Sequence, residues 1–168
     1  MDLVEELALP LTPHAVMHMY ADPRYAQIRG DALGAQDVRS EHEGDPEGCL
    51  VVTTTLTMPT DRVPDVARPF VGSSITVRET QRWLAPGSDG SRTGTILLEV
   101  AGTPARVTGD MRLVPAGPDA SRIHIDGQLV ANVPLVGRRL ERAAMPYVST
   151  VMRMEETAAQ RYHDQSAD

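Results

Sequence analysis

From Ser74 to Val133 this chain alternates polar and apolar residues in one segment after another, and that period limits the possible folds more than any other feature. In Ser74 to Ala85, Ile75, Val77 and Trp83 share one face while Thr76, Arg78, Thr80 and Arg82 share the other. In Ala105 to Val114, Val107, Met111 and Leu113 oppose Arg106, Thr108, Asp110 and Arg112. Arg122 to Val133 repeats the pattern, with Ile123, Ile125, Leu129 and Ala131 opposite His124, Asp126, Gln128 and Asn132. Successive side chains of a strand point to opposite faces, so these are strands with one solvated and one covered face. Gly94 to Val100 adds a strand between them. The connections Pro86 to Ser91, Ala101 to Pro104 and Pro115 to Ser121 carry Gly or Pro and are short enough for hairpins. The spacing therefore predicts an antiparallel meander. Upstream, Gly44 to Gly48 is a turn by chemistry, with a Thr- and Val-rich strand, Cys49 to Met58, after it and a polar edge strand, Gln36 to His42, before it.

Something must cover the apolar face. From Val136 to about His163, Leu140, Ala144, Tyr147 with Val148, Val151, Met154 with Glu155, and Ala158 form one stripe at helical spacing. A helix of this length runs roughly 35–40 Å, and Pro146 inside it is expected to bend it. The N-terminal part reads as a strand over Asp2 to Leu9, a helix over His14 to Tyr20 capped by Thr12, and a second helix over Arg24 to Asp31 closed by Gly30 or Gly34. The fold class expected is α+β: a curved antiparallel sheet of six to seven strands wrapped around a long C-terminal helix, with two short helices after the first strand. A chain of 168 residues fits one core. The expected organisation is one domain over residues 1–163 and a polar tail at 164–168.

Charge and composition exclude several roles. All sixteen basic residues are arginine, but 23 acidic residues outweigh them and leave a formal charge of −7. That balance is wrong for a polyanion partner, so no nucleic acid is expected. No apolar stretch approaches the roughly 20 residues of a membrane span, so no integral membrane insertion is expected. Cys49 is the single cysteine, and Met1 to Glu6 lacks a basic region followed by an apolar one. These features make the cytoplasm the expected location.

Several segments carry a resemblance. They are Pro10 to Val16 leading into the first helix, Ala21-Asp22-Pro23 ending it, Pro64 to Gly72, Glu79 to Trp83, Asp89 to Thr95 and Val133 to Gly137. In these segments and in the order of its elements the chain resembles the START-like (SRPBCC, helix-grip) superfamily. That superfamily includes polyketide aromatase/cyclases, plant lipid and hormone binders and coenzyme-Q-binding proteins. Within it the chain is similar to a bacterial family of unknown function, so the resemblance implies a fold and a ligand class but no catalytic residues. It implies a hydrophobic small molecule, such as a lipid, isoprenoid or polyketide-like compound, held between sheet and C-terminal helix. The lining expected is Met17, Tyr20, Met58, Val63, Phe70, Trp83, Leu98, Met111, Ala144, Val148 and Met152, with Glu79 and Gln81 as its polar end. The alternatives are an aromatase/cyclase-like enzyme and a ligand-free interaction module with a filled core; no protein partner is named by the sequence. A compact structure with no internal cavity above roughly 300 Å³ would count against both the binding and the enzyme reading, and Pro59 to Phe70 is the candidate gate.

Glu79 and Gln81 stand out because strand parity puts both on the apolar face, unless a bulge turns Glu79 outward. A buried carboxylate needs a partner or a raised pKa, and an arginine such as Arg92 is one candidate partner. His14 and His18 have i, i+4 ligand spacing, but no third ligand is recognisable, and Asp22 is expected to cap or solvate that face. No metal, cofactor or catalytic residue is assigned. Cys49 has no basic neighbour to activate it and reads as inert.

Overall fold

A computed structural model describes residues 1–168. The elements run β1 (Asp2–Leu9), α1 (Pro13–Ala21), α2 (Pro23–Leu33), β2 (Asp37–Gly44), β3 (Leu50–Pro59), β4 (Ser74–Trp83), β5 (Arg92–Val100), β6 (Ala105–Pro115), β7 (Ser121–Ala131) and α3 (Gly137–Ser166). All seven strands lie in one curved antiparallel sheet of order β1-β7-β6-β5-β4-β3-β2. The meander is consecutive from β2 to β7, and β1 closes on β7 with Leu3 opposite Gly127 and Leu7 opposite Ile123. This is the helix-grip architecture.

Alternation decides which side faces inward. In β1, Leu3, Glu5, Leu7 and Leu9 are buried and the residues between them exposed. In β3, Leu50, Val52, Thr54, Leu56 and Met58 are the buried set. In β4, Ile75, Glu79, Gln81 and Trp83 are buried, so Glu79 and Gln81 face the interior and no bulge turns them out. The main apolar cluster joins these strands to Val16, Met17, Met19 and Tyr20 of α1, Tyr25 and Ile28 of α2, and Met152, Ala158 and Ala159 of α3.

Local chemistry sets the helix ends. The Thr12 hydroxyl accepts from Ala15 N (3.2 Å) with Pro13 in the first turn. Asp22 caps the end of α1, its N–H donating to the Met19 carbonyl (3.1 Å), and its carboxylate caps α2 through Arg24 N (2.9 Å). Gly34, rather than Gly30, closes α2 in the left-handed conformation.

The thirty residues of α3 span about 45 Å. The helix continues past His163 into the segment expected as a polar tail, because Gln160 Nε2 donates to Asp164 Oδ1 (2.8 Å) and Ser166 Oγ to the Tyr162 carbonyl (2.8 Å). Pro146 lies inside α3 without ending it. No helix is long and apolar enough to cross a membrane.

Candidate functional site

The space between sheet and α3 divides in two. Toward the β3–β4 connection it holds an apolar cavity of about 150 Å³ lined by 24 residues, 19 of them hydrophobic. Val77, Leu98, Val107 and Leu129 form its floor, Ala144, Tyr147, Val148 and Val151 of α3 form its roof, and Val63, Pro64, Ala67, Phe70 and Val71 of the connection close its side. The side chains that α3 and β7 present here are short: Ala144, Val148 and Val151 of α3 and Ala131 of β7 all line the gap. The connection makes two short 3₁₀ turns, Thr60–Arg62 and Arg68–Phe70, and packs Val63 with Met58 and Ile75. Phe70 at the rim is 43% exposed.

Of the residues expected to line a pocket, Met58, Val63, Phe70, Leu98, Ala144 and Val148 border this cavity. Met17, Tyr20, Trp83, Met111 and Met152 do not; they are packed in the main core. Glu79 and Gln81 do not border it either, although Glu79 pairs across the sheet with Leu98, which does. Tyr147 and Val151 line it although the expected lining leaves them out, and their place on the α3 stripe is the signal that could have found them.

Beyond the inner end of the cavity lies a buried polar cluster. Arg29 of α2 forms a two-pronged ion pair with Glu79, Nη1 to Oε1 at 2.7 Å and Nη2 to Oε2 at 2.6 Å. Gln81 Nε2 donates to Glu79 Oε1 (2.8 Å), and Trp83 Nε1 donates to Gln81 Oε1 (3.0 Å). The partner of Glu79 is therefore Arg29 and not Arg92. Arg92 instead donates to the carbonyls of Pro46, Gly48 and Leu84. From α3, Glu155 enters the same region and accepts a hydrogen bond from the Tyr20 hydroxyl. The Tyr25 hydroxyl and Arg29 Nε are buried there without a hydrogen-bond partner.

Burial raises both carboxylates, but their net shifts are opposite. Burial raises the Glu79 carboxyl, but the Arg29 charge, its hydrogen bonds and that of Gln81 more than offset this and hold it below the usual range. Glu155 is raised: burial dominates, Glu79 and Glu156 add repulsion, and Arg29 and the Tyr20 hydroxyl only partly compensate. Burial and Glu155 together push the Tyr20 phenol well up.

A raised carboxyl favours the folded state below its unfolded pKa, and that stability is lost as pH rises through the folded value. Glu155→Gln keeps an acceptor for Tyr20 and removes the charge. The variant is expected to melt higher than wild type at pH 8, with the difference vanishing near pH 4. At this chain length each kcal/mol corresponds to roughly 2–4 °C. A melting series from pH 4 to 8 checks it, and a difference that grows on acidification rules it out.

The helical pair His14 and His18 also acquires a neighbour: Glu47 Oε1, from the β2–β3 turn, lies 2.7 Å from His14 Nε2 and 2.6 Å from His18 Nε2. The third group that spacing alone did not reveal is supplied by a residue 29 positions from His18. Cys49 is exposed and unpaired.

Residues 5–162 match a protein family described as a protein of unknown function, DUF2505. The chain belongs to that family. No curated protein matches it. Among solved structures, the Zhui aromatase/cyclase from Streptomyces sp. R1128 superposes with a TM-score of 0.62 at 13% identity, over 100% of this chain and 96% of that one. The protein TTHA0849 from Thermus thermophilus gives 0.59 at 11% identity, over 96% and 99%. A START superfamily protein from Mycobacterium smegmatis gives 0.56 at 11% identity, over 96% and 98%. At these identities the likeness establishes the DUF2505 chain's START-like fold.

Proposed function

We propose that this DUF2505 protein binds a small apolar molecule in the cavity between the sheet and α3, with the β3–β4 connection as its gate. The observation that carries the reading is the lining itself, 19 hydrophobic residues of 24, at a place where the sheet and the long helix do not meet. The volume of about 150 Å³ lies below the roughly 300 Å³ typical of ligand sites. An apolar cavity of that size elsewhere stays dry and takes up benzene or xenon. A longer lipid, isoprenoid or polyketide-like ligand requires the connection from Thr60 to Ser73 to swing away. The side-chain hydrogen bonds of that connection stay within it: Thr60 Oγ1 donates to the Gly72 carbonyl (3.0 Å), and the Arg68 guanidinium donates to the carbonyls of Val63 and Asp61.

Binding is favoured over catalysis because Glu79, the acid/base candidate, is held by Arg29 and does not border the cavity. Under the binding reading, Glu79→Gln is expected to alter stability and leave ligand affinity within a few-fold, whereas a catalyst relying on Glu79 would lose turnover. A straight-chain fatty acid series from C6 to C16, together with benzene, tests the main reading by calorimetry. Wild type is expected to bind part of the series. Ala144→Phe, which fills the roof, is expected to weaken binding at least tenfold with the circular dichroism unchanged. The reading fails if none of these probes binds and native mass spectrometry of protein from its own host carries no apolar adduct.

A further inference from the structure

At the opposite end of β3 from the cavity, three side chains converge that neither the binding reading nor the core accounts for. Leu50, beside the β2–β3 turn, and Met58, on the cavity wall, are separated by about 26 Å along an extended strand. Beside Leu50, His14 Nε2 and His18 Nε2 both approach Glu47 Oε1, at 2.7 and 2.6 Å, and the three ligand-type atoms all lie within 4.8 Å of one another. The two imidazole rings are 4.7 Å apart at 50°. We infer that His14, His18 and Glu47 form a binding site for a first-row divalent cation, zinc in the first place, that clasps α1 to the β2–β3 turn.

The donor set argues for the ion class. Two imidazole nitrogens and one carboxylate suit Zn²⁺, Co²⁺ or Ni²⁺, whereas Mg²⁺ and Ca²⁺ take oxygen ligands. Tetrahedral zinc with bonds near 2.0–2.1 Å places its ligand atoms about 3.3 Å apart. The two histidine–carboxylate distances, 2.7 and 2.6 Å, need to open by about 0.6–0.7 Å, and ligand atoms within 4.8 Å of one another need to settle near that spacing, a shift that half-exposed side chains can make. Three protein ligands leave the fourth position to water.

The backbones that carry these side chains are held from behind. Val16, Met17, Met19 and Tyr20 bury the opposite side of α1 and leave His14 and His18 outward. The turn carrying Glu47 is anchored by Arg92, itself 2% exposed, whose guanidinium donates to the carbonyls on either side of Glu47: Nη2 to Pro46 O at 2.5 Å and Nη1 to Gly48 O at 2.6 Å. Asp45 N donates to Cys49 O (3.0 Å) and Glu47 N to Asp45 Oδ1 (2.9 Å). Gly44 has φ +89°, and a Cβ there would meet the Cys49 carbonyl oxygen at 2.2 Å, so the turn keeps this shape only with glycine. The carboxylate is thus presented by a braced loop to a braced helix.

The test uses the full chain without a polyhistidine tag, stripped with chelator and titrated with Co²⁺ and then Zn²⁺. One equivalent of Co²⁺ is expected to give the visible absorption of a four-coordinate ion, which Zn²⁺ displaces. Each tenfold excess of Zn²⁺ over Kd is expected to raise Tm by about 3–6 °C. His14→Ala, His18→Ala and Glu47→Ala are each expected to weaken binding by at least the roughly 10–100-fold that outer-shell changes cost. Their metal-free Tm should stay near that of wild type, since all three side chains are about half exposed or more. Binding that survives in the His14→Ala/His18→Ala double variant would overturn the site, as would wild-type binding no tighter than that variant's. Unchanged affinity in Glu47→Ala would also overturn it, leaving only a two-histidine chelate. None of these outcomes depends on the apolar cavity.

Discussion

Replacing Arg29 with methionine is expected to cost about 3–5 kcal/mol, a fall in Tm of roughly 6–20 °C at this chain length. Methionine matches the length of the arginine stem, so little packing changes; what is lost is the charge facing Glu79. The wild-type pair is 2.6–2.7 Å in both prongs, and both side chains are almost completely buried. Removing one member leaves a carboxylate buried beside Glu155, with only the Gln81 amide to satisfy it.

The pH dependence should invert with the substitution. In wild type Glu79 is depressed, so its contribution is present above the ordinary glutamate pKa and lost as pH falls through the folded value. Without Arg29, only the Gln81 hydrogen bond opposes burial, and the carboxyl is expected to be raised. The Glu79 carboxyl of the variant should then add a gain in stability on acidification from neutral pH, on top of the gain that the raised Glu155 gives wild type and variant alike. Arg29→Met with Glu79→Gln removes the stranded charge, keeps the acceptor for Gln81, and is expected to recover most of the loss, because neutral replacements of buried ion pairs are often nearly neutral. Urea melts of wild type, single and double variants at pH 5 and 8 decide it. A single variant within about 1 kcal/mol of wild type, or a double variant no better than the single, would show that the pair does not hold α2 to the sheet.

The parts of this arrangement that rest on local period were legible in the sequence. Parity alone placed Glu79 and Gln81 inside, and the same rule ordered β4 to β7 and their hairpins. The stripe on α3 contained Glu155 and the cavity roof. The partners on other elements were not legible, since the contacts of Arg29 with Glu79, Tyr20 with Glu155 and Glu47 with the histidines join residues far apart in sequence. Arg29 is one of sixteen arginines, and the only local hint of its burial is that it lies one helical turn beyond Tyr25 on the same face of α2. Arg92 sits on β4's neighbour and looked the nearer partner, but its guanidinium points to the end of the sheet and is taken by the β2–β3 turn. Glu47 reads as an ordinary turn residue until α1 is folded over it. The division of the interior also escaped the pattern. Met17, Met111, Met152 and Trp83 are apolar and inward like Leu98 and Val148, and no periodicity distinguishes a side chain that fills space from one that borders a gap.

Trp83 tests that division. It is 1% exposed, stacks on Tyr20 with centroids 6.2 Å apart at 18°, and gives its indole N–H to Gln81. It lies opposite Gly94 on β5, where a Cβ would approach the indole Cε3 to 2.8 Å and the Arg82 carbonyl to 2.4 Å, so this strand pair accepts the ring only because Gly94 has no side chain. Trp83→Ala is therefore expected to cost about 3–5 kcal/mol through the lost ring and the void it leaves. Gln81 Oε1 also loses its donor, so Trp83→Phe should still cost measurably although it keeps most of the volume. If the packed interior and the cavity are separate, ligand affinity in Trp83→Ala should stay within a few-fold of wild type once measured where the variant is folded. Ala144→Phe should show the converse, a stable fold with binding lost. A Trp83→Ala variant that binds longer fatty acids than wild type would mean instead that the two spaces join when the ring is gone. The indole would then be the plug that sets ligand length, and the polar end sought at Glu79 and Gln81 would lie within reach of the ligand.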